Sequence, residues 1–324
     1  MFKSKLTPLL RALTLTAALA ACALSAPLAL AAAPMVKTSA PAYFRTMLGD
    51  FEVTALSDGT VDLPVDKLLQ QAPSTTSKEL SSAYLKIPLE TSVNGYLINT
   101  GKRLVLIDTG AGGLFGPTLG KLAANLKAAG YKPDDVDDIL ITHMHPDHVG
   151  GLAANAERVF PNATVHADKR DADFWLSQQN LDKAPAESKG FFQGAMGSLK
   201  PYQSAQKFNG FDGKTEIVAG ITALPTYGHT PGHTSYLVES QGQKLMVIGD
   251  LIHVAAVQFD HPTVTIGFDA DSKAAYAERK KVFDAAAKDG TLIAAAHLAF
   301  PGMGHLRVTG NSYQWIPVNF TQLR

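Results

Sequence analysis

The chain of 324 residues contains one cysteine, Cys22, which leaves no pair for an internal disulfide and no thiolate cluster for a structural metal. Net charge is missing too: 29 basic residues face 29 acidic ones, so the overall field gives no footprint for nucleic acid or an anionic membrane surface. No solenoid-type repeat is visible. With 46% hydrophobic residues the chain can bury a real core, which excludes disorder as its main state. A small, uncharged or weakly charged molecule is the partner this composition suits.

Basic residues Lys3, Lys5 and Arg11 precede an Ala/Leu-rich stretch from Ala12 to Leu30, the pattern of an export signal. Ala29-Leu30-Ala31 offers an A-x-A cleavage site, giving a signal over 1–31, a single domain over 32–324, and a periplasmic or secreted product. Leu19-Ala20-Ala21-Cys22 also has the form of a lipobox, by which Cys22 would be acylated as a lipoprotein anchor. Pro27 breaks the apolar run and no charged stop-transfer flank follows, so no membrane span is expected. Removal of the signal leaves 26 basic against 29 acidic residues.

From Phe51 onward, short apolar runs alternate with turn signals. Phe51 to Leu56 before Ser57-Asp58-Gly59, Gly95 to Ile98, Leu104 to Ile107 and Ile139 to Thr142 are expected strands. Strand signals resume at Thr215 to Leu224, Thr234 to Val238, Leu245 to Ile248 and Thr291 to Ala296. Thr118 to Ala129 carries Leu119, Leu122, Ala123 and Leu126 at helical spacing and stops at Gly130; Ser272 to Ala287 is a second amphipathic helix. Ala167 to Phe208 is polar and aromatic-rich, and is expected to form helices and loops over a site. Two sheets face to face with helices outside would bury these runs, an α/β sandwich and not a doubly wound parallel sheet.

The densest chemistry lies in His143-Met144-His145-Pro146-Asp147-His148, three histidines and a carboxylate on a loop leaving a strand. Gly150-Gly151 would let the chain turn behind it and start a helix. Three further candidates sit just past apolar runs: His229 in Gly228-His229-Thr230-Pro231-Gly232-His233, Asp250 after Leu245 to Gly249, and His297 after Leu292 to Ala296. Five imidazoles and two carboxylates without a thiolate suit two divalent ions, zinc before iron or manganese.

These segments resemble the metallo-β-lactamase superfamily over nearly all of the chain beyond the signal. The resemblance implies a four-layer αβ/βα sandwich. It also implies His143, His145 and His229 on one ion, Asp147, His148 and His297 on the other, and Asp250 bridging. His233 is then left as a packing or supporting residue, and Asp108, at the end of Leu104 to Ile107, orients the loop by hydrogen bonds. Asp250 stands where two-zinc β-lactamases usually carry a Cys, which disfavours antibiotic hydrolysis. The segment Tyr313 to Arg324 lacks the basic cluster of a glutathione thioesterase. The export signal and neutral charge disfavour an RNA-processing role. Leu89 to Val93, Thr142 to Leu152, Asp173 to Ser177, Lys189 to Phe192 and Asp250 to Asp260 further resemble the methyl parathion hydrolase group. That group and its neighbours cleave phosphotriesters, aryl esters and lactones, and are typically homodimers.

Two such ions would trap a bridging water and lower its pKa toward ~7, giving a hydroxide nucleophile without a separate base. Asp147 and Asp250 are placed to relay a proton, and His253 either donates to the leaving oxygen or serves as a pocket wall. Phe115, Trp175, Phe191 and Phe192 form the expected aromatic pocket, with Leu68, His253, Ile266 and Phe268 at further wall positions. Bulky His253 and Phe268 should crowd a tetrahedral phosphotriester more than a planar ester. The expected activity is therefore opening of lactones and aryl esters of dihydrocoumarin shape, with organophosphate triesters as a side reaction. An efficient methyl parathion-type enzyme and an acyl-homoserine lactonase are the alternatives. A non-catalytic metal-binding or ligand-binding protein is the reading from another class.

Overall fold

The computed structural model describes residues 33–323. Residues 33–40 are exposed chain without regular structure, and a compact unit begins at Pro41. The export signal and Cys22 lie outside the described residues.

Two seven-stranded sheets build the compact unit. In spatial order the first holds Tyr43–Leu48, Phe51–Leu63, Leu89–Asn99, Leu104–Ile107, Asp138–Leu140, Thr164–Asp168 and Phe208–Phe211. The second runs in chain order from Thr215–Val218 through Ile221–Pro225, Thr234–Ser240, Gln243–Val247, Leu292–Ala294 and Met303–Thr309 to Ser312–Pro317. The last four strands of the first sheet pair in parallel, as do Gln243–Val247 and Leu292–Ala294; every other neighbour is antiparallel. Strands buried on both faces need continuous apolar runs, which Leu104–Ile107 and Ile139 to Ile141 supply.

Alternation along each strand sorts side chains between two cores. Val53, Ile98, Val105 and Ile107 meet Ala223, Tyr236, Val238 and Val247 between the sheets. On the outer face of the first sheet, Leu97, Leu106, Ile139 and Val165 pack on Leu122, Leu126, Leu199 and Tyr202 from the helices Leu122–Ala128 and Lys189–Ser204. On the outer face of the second, Ile248, Ile293 and Leu306 receive Val282, Phe283 and Ala286 of the helix Ser272–Asp289. That helix starts where the Asp271 side chain accepts the Ala274 N–H and ends at Gly290 with φ 70°. The result is the expected four-layer αβ/βα sandwich. Among the described residues no helix is long and apolar enough to cross a membrane.

Three expectations are corrected. Ser57-Asp58-Gly59 is a bulge inside one 13-residue strand and not a turn. The buried Asp58 carboxylate accepts the N–H groups of Ala111, Gly120 and Leu122 there, which holds the strand against the next loop. The helical turn behind the histidine loop begins at Pro146, before the two glycines. Gly150 and Gly151 open a further 3₁₀ turn, Gly150–Leu152, and also serve close approach: a Cβ would lie 2.1 Å from the Ala111 carbonyl oxygen and 2.0 Å from that of Thr109. Finally, Thr215 to Leu224 is a hairpin of two strands turned at Gly220, φ 82°.

Candidate metal centre

All seven expected ligands converge at one end of the sandwich, because each leaves the same end of a strand. His143 to His148 follow Asp138–Leu140, His229 follows Ile221–Pro225, Asp250 follows Gln243–Val247, and His297 follows Leu292–Ala294. Backbone and side-chain bonds lock these exits together. Thr234 N donates to the Thr142 carbonyl at 2.8 Å, Tyr236 Oη to that of Ile141 at 2.7 Å, and Asn94 N to that of Ala296 at 2.9 Å.

Asp250 is the hub. Its Oδ2 lies 3.1 Å from His297 Nε2, 3.3 Å from His229 Nε2 and 3.6 Å from His143 Nε2, while Oδ1 lies 3.2 Å from His148 Nε2. His145 Nδ1 is 3.2 Å from His229 Nε2, and Asp147 Oδ2 is 3.5 Å from His297 Nε2 and 3.6 Å from His148 Nε2. Three overlapping groups of donor atoms result, one from His143, His145, His229 and Asp250, one from Asp147, His148 and His297, and one from Asp250, His253 and His297. Buried His143 Nε2, His148 Nε2 and Asp250 Oδ1 have no hydrogen-bond partner among the described residues. Orphaned lone pairs aimed at shared points are what two cations would satisfy, so the residues fit a dinuclear metal centre.

The far nitrogen of four imidazoles is anchored, which fixes ring orientation and tautomer. His148 Nδ1 meets Asp108 Oδ2 at 2.8 Å, His229 Nδ1 meets Asp269 Oδ1 at 2.9 Å, His297 Nδ1 meets the Ser92 carbonyl at 2.9 Å, and His143 Nδ1 meets Thr142 Oγ1 at 3.1 Å. Asp108 also accepts the Thr142 N–H and hydroxyl, the orienting role the resemblance implies. His233 holds the hub from behind: its Nε2 accepts the Asp250 N–H at 3.1 Å, and burial lowers its pKa to about 3. It supports the centre and stays outside it.

Burial works against protonation throughout the cluster, and neighbours decide the outcome. His143 and His145 fall well below the ordinary imidazole value through burial and adjacent histidines. At His148 the carboxylates of Asp250, Asp147 and Asp108 outweigh burial and raise it well above that value. Hydrogen bonds to Asp250 and Asp269 outweigh burial at His229 and carry it to about 9; Asp250 similarly raises His297. Burial also opposes ionisation of Asp250, but four surrounding imidazoles hold it well below the usual carboxylate range.

His253 differs from the ligands. Its Nε2 lies 3.1 Å from Asp250 Oδ2 and its ring stacks on His297 at 5.0 Å, yet Nδ1 has no partner among the described residues. Burial lowers its pKa to about 4. Without an anchor on the second nitrogen it lacks the orientation built into His143, His148, His229 and His297.

Over the hub lies a cavity of about 80 Å³ walled by Val61, Leu63, Phe115, Leu119, Phe191 and Phe268 and floored by His145, Asp147, Asp250, His253 and His297. Of the residues named from the sequence as pocket walls, Phe115, Phe191, His253 and Phe268 line this cavity. Trp175 and Phe192 line a neighbouring cleft of about 380 Å³, which meets the cavity at His145 and Phe268. Leu68 and Ile266 are corrected: both pack behind Phe268 with Val65, Leu69 and Val257, and neither lines the cavity. Ile266 is fully buried there because its backbone bridges Leu69.

Sequence reading misses Val61, Leu63, Asp171 and Asp269. The strand that brings the first two is hidden by the Ser-Asp-Gly bulge, and Asp269 has no local signal except its place beside Phe268. Asp171 joins the two histidine loops, accepting the Met144 N–H at 2.8 Å and the Gly232 N–H at 2.6 Å, and burial pushes its pKa up to about 6. Asp171→Ala should cost about 2 kcal/mol by stranding two buried donors, with Asp171→Asn costing less. Denaturant midpoints of the two variants, chelated and metal-loaded, check this; equal midpoints for Asp171→Ala and the parent would refute it.

Residues 89–297 match the family model of the metallo-beta-lactamase superfamily. A structure described as hydrolase AbOPH in the beta lactamase superfamily is similar with TM-score 0.83 and 39% identity, covering 88% of this chain and 100% of that one. AidC, a dizinc quorum-quenching lactonase solved with N-hexanoyl-L-homoserine, is similar with TM-score 0.80 and 28% identity, covering 87% of this chain and 99% of that one. The N-acyl homoserine lactonase of Bacillus thuringiensis is 24% identical over 228 residues, 64% of this chain and 81% of that protein.

Proposed function

Because the chain belongs to the metallo-β-lactamase superfamily and is a hydrolase of it, we propose that it is an exported, homodimeric two-zinc enzyme opening lactones and aryl esters, with organophosphate triesters as slow side substrates. In finer grouping it sits with the methyl parathion hydrolase-like proteins. The zinc assignment rests on the thiolate-free donor set of imidazoles and carboxylates, and the export assignment on the sequence pattern of residues 1–31.

The observation that carries the substrate class is the cavity. Its walls are aliphatic and aromatic, formed by Val61, Leu63, Phe115, Leu119, Phe191 and Phe268. Phe191 and Phe268, with centroids 6.5 Å apart and planes inclined at 45°, form an aromatic wall on which a flat ring can lie better than a tetrahedral centre with three substituents. Bound at the donor groups, the ions supply Lewis acidity and a water acidic enough to attack at neutral pH. The chain does the rest. Asp147 and Asp250 would hold metal and offer carboxylate oxygens to a proton in transit, Phe115, Phe191 and Phe268 wall the cavity against bulk solvent, and His253, beside Asp250, would be placed to meet a departing oxygen.

A second reading, acyl-homoserine lactonase, is supported by the likeness to AidC and to the Bacillus thuringiensis enzyme. Measuring kcat/KM of the zinc-loaded protein for dihydrocoumarin, methyl parathion and N-hexanoyl homoserine lactone side by side separates them. The expected result is a dihydrocoumarin value at least about tenfold above the other two, roughly what crowding worth 1.4 kcal/mol delivers. Preference for methyl parathion would overturn the crowding argument, and preference for the homoserine lactone would install the second reading. Turnover that survives a chelator would remove the metals from the mechanism, and absence of all turnover would favour a binding protein.

A further inference from the structure

Arg279 is the largest fully buried side chain, and it has no carboxylate within ion-pair distance among the described residues. It lies on the buried face of the helix Ser272–Asp289, in line with Ala275, Val282, Phe283 and Ala286, a position that helical spacing assigns to an apolar residue. Burying an unpaired cation is costly, and burial lowers its pKa to about 10. Its direct hydrogen bonds go to carbonyl oxygens alone: Nε donates to Leu251 at 2.5 Å, and one terminal nitrogen donates to Pro262 at 2.8 Å and Val264 at 2.7 Å, while the more distant Asp269 charge also favours the cation.

Gln258, also fully buried, completes the same network. Its Oε1 accepts the N–H groups of His253 at 2.8 Å and Val254 at 2.9 Å, and its Nε2 donates to the Val264 carbonyl at 3.0 Å. Two turns are therefore tied by six hydrogen bonds, three onto each. One, 250–254, carries Asp250 and His253; the other, 262–266, leads directly to Phe268 and Asp269. With Nδ1 unbonded among the described residues, the His253 ring is placed by its Nε2 contact to Asp250 Oδ2, by its stack on His297 and by its backbone, which Gln258 holds.

We propose that Arg279 and Gln258 form a buried clamp that positions His253 and Phe268 against each other across the substrate cavity, and so sets substrate selectivity without holding metal. A guanidinium fits this task because its planar fork can bridge two chain segments at once, which an ammonium cannot reproduce. The selectivity part rests on the lactone and ester reading above; the positioning part does not.

The test compares zinc-loaded parent, Gln258→Met, Gln258→Glu and Arg279→Lys. In Gln258→Met, amide exchange at His253 and Val254 should rise about tenfold, the loss of one buried hydrogen bond, while the strands Gln243–Val247 and Leu292–Ala294 stay protected. Gln258→Glu keeps the acceptor and should restore protection at both amides; Arg279→Lys should loosen both turns, and if it fails to fold Gln258→Met decides. Bound zinc should remain at the parent's stoichiometry. The dihydrocoumarin to methyl parathion ratio of kcat/KM should fall about tenfold in Gln258→Met, and fall no further when that change is added to His253→Ala. Uniform exchange across the molecule, loss of zinc, an unchanged ratio, or additive effects with His253→Ala would each overturn the clamp. If the parent turns over neither substrate, the functional reading fails while the exchange pattern still judges the clamp: local loss with Glu rescue supports it, uniform loss ends it.

Discussion

Asp250→Ala will bind no more than one metal ion per chain and lose at least about a thousandfold in kcat/KM, because this one carboxylate lies between the His143 and His229 donors and the His148 and His297 donors. Its two oxygens face His148 on one side and His143, His229 and His297 on the other, so no remaining residue can replace the link. The metal-free variant should also be less stable than the metal-free parent by about 3 kcal/mol. With Asp250 gone, the raised pKa values of His148, His229 and His297 lose their largest support, and buried imidazoles must shed protons or stay charged with fewer carboxylates around them. Asp250→Asn keeps the shape without the charge and should fall between the two. Elemental analysis, kcat/KM and denaturant midpoints of the chelated proteins read all three effects. A variant that still holds two ions, or is more stable than the parent when metal-free, contradicts the assignment of Asp250 as hub.

What made the centre readable in the chain is adjacency. Four of the seven donors lie within six residues, and the other three each follow an apolar run, so the strands that aim them advertise them. The supporting layer has no such grammar. Asp269 becomes a partner of His229 only when the turn after Val264 folds back across the sandwich, and Asp171 meets Met144 and Gly232 only when two loops close. Asp58 misleads in the opposite direction: Ser-Asp-Gly is a turn signal locally, but three N–H groups from a distant loop capture the carboxylate and the strand continues through a bulge. Arg279 shows the same limit, since a charged residue on an apolar helical face signals that something is buried there without saying what it holds. The strands Met303–Thr309 and Ser312–Pro317 escape notice because an edge hairpin with one exposed face carries only a weak hydrophobic signal.

Local geometry and electrostatics then explain why this centre should take up metal in a strongly pH-dependent way. Metal ligation needs neutral imidazoles, whereas the metal-free site keeps protons on His229 up to about pH 9 and on His148 and His297 above the ordinary imidazole value, through Asp250, Asp147, Asp108 and Asp269. Imidazoles at the ordinary value of about 6.5 would give an affinity that levels off above pH 7. Raised values move the plateau upward: between pH 7 and 9 each proton that must leave weakens binding about tenfold per unit of falling pH. Zinc affinity should therefore keep rising from pH 7 to 9, and binding at pH 7.5 should release at least one proton. Competition against a chromophoric chelator across that range, with calorimetry at fixed pH in buffers of different ionisation enthalpy, measures both. An affinity flat above pH 7 with no proton release would mean that the carboxylates orient these histidines without charging them.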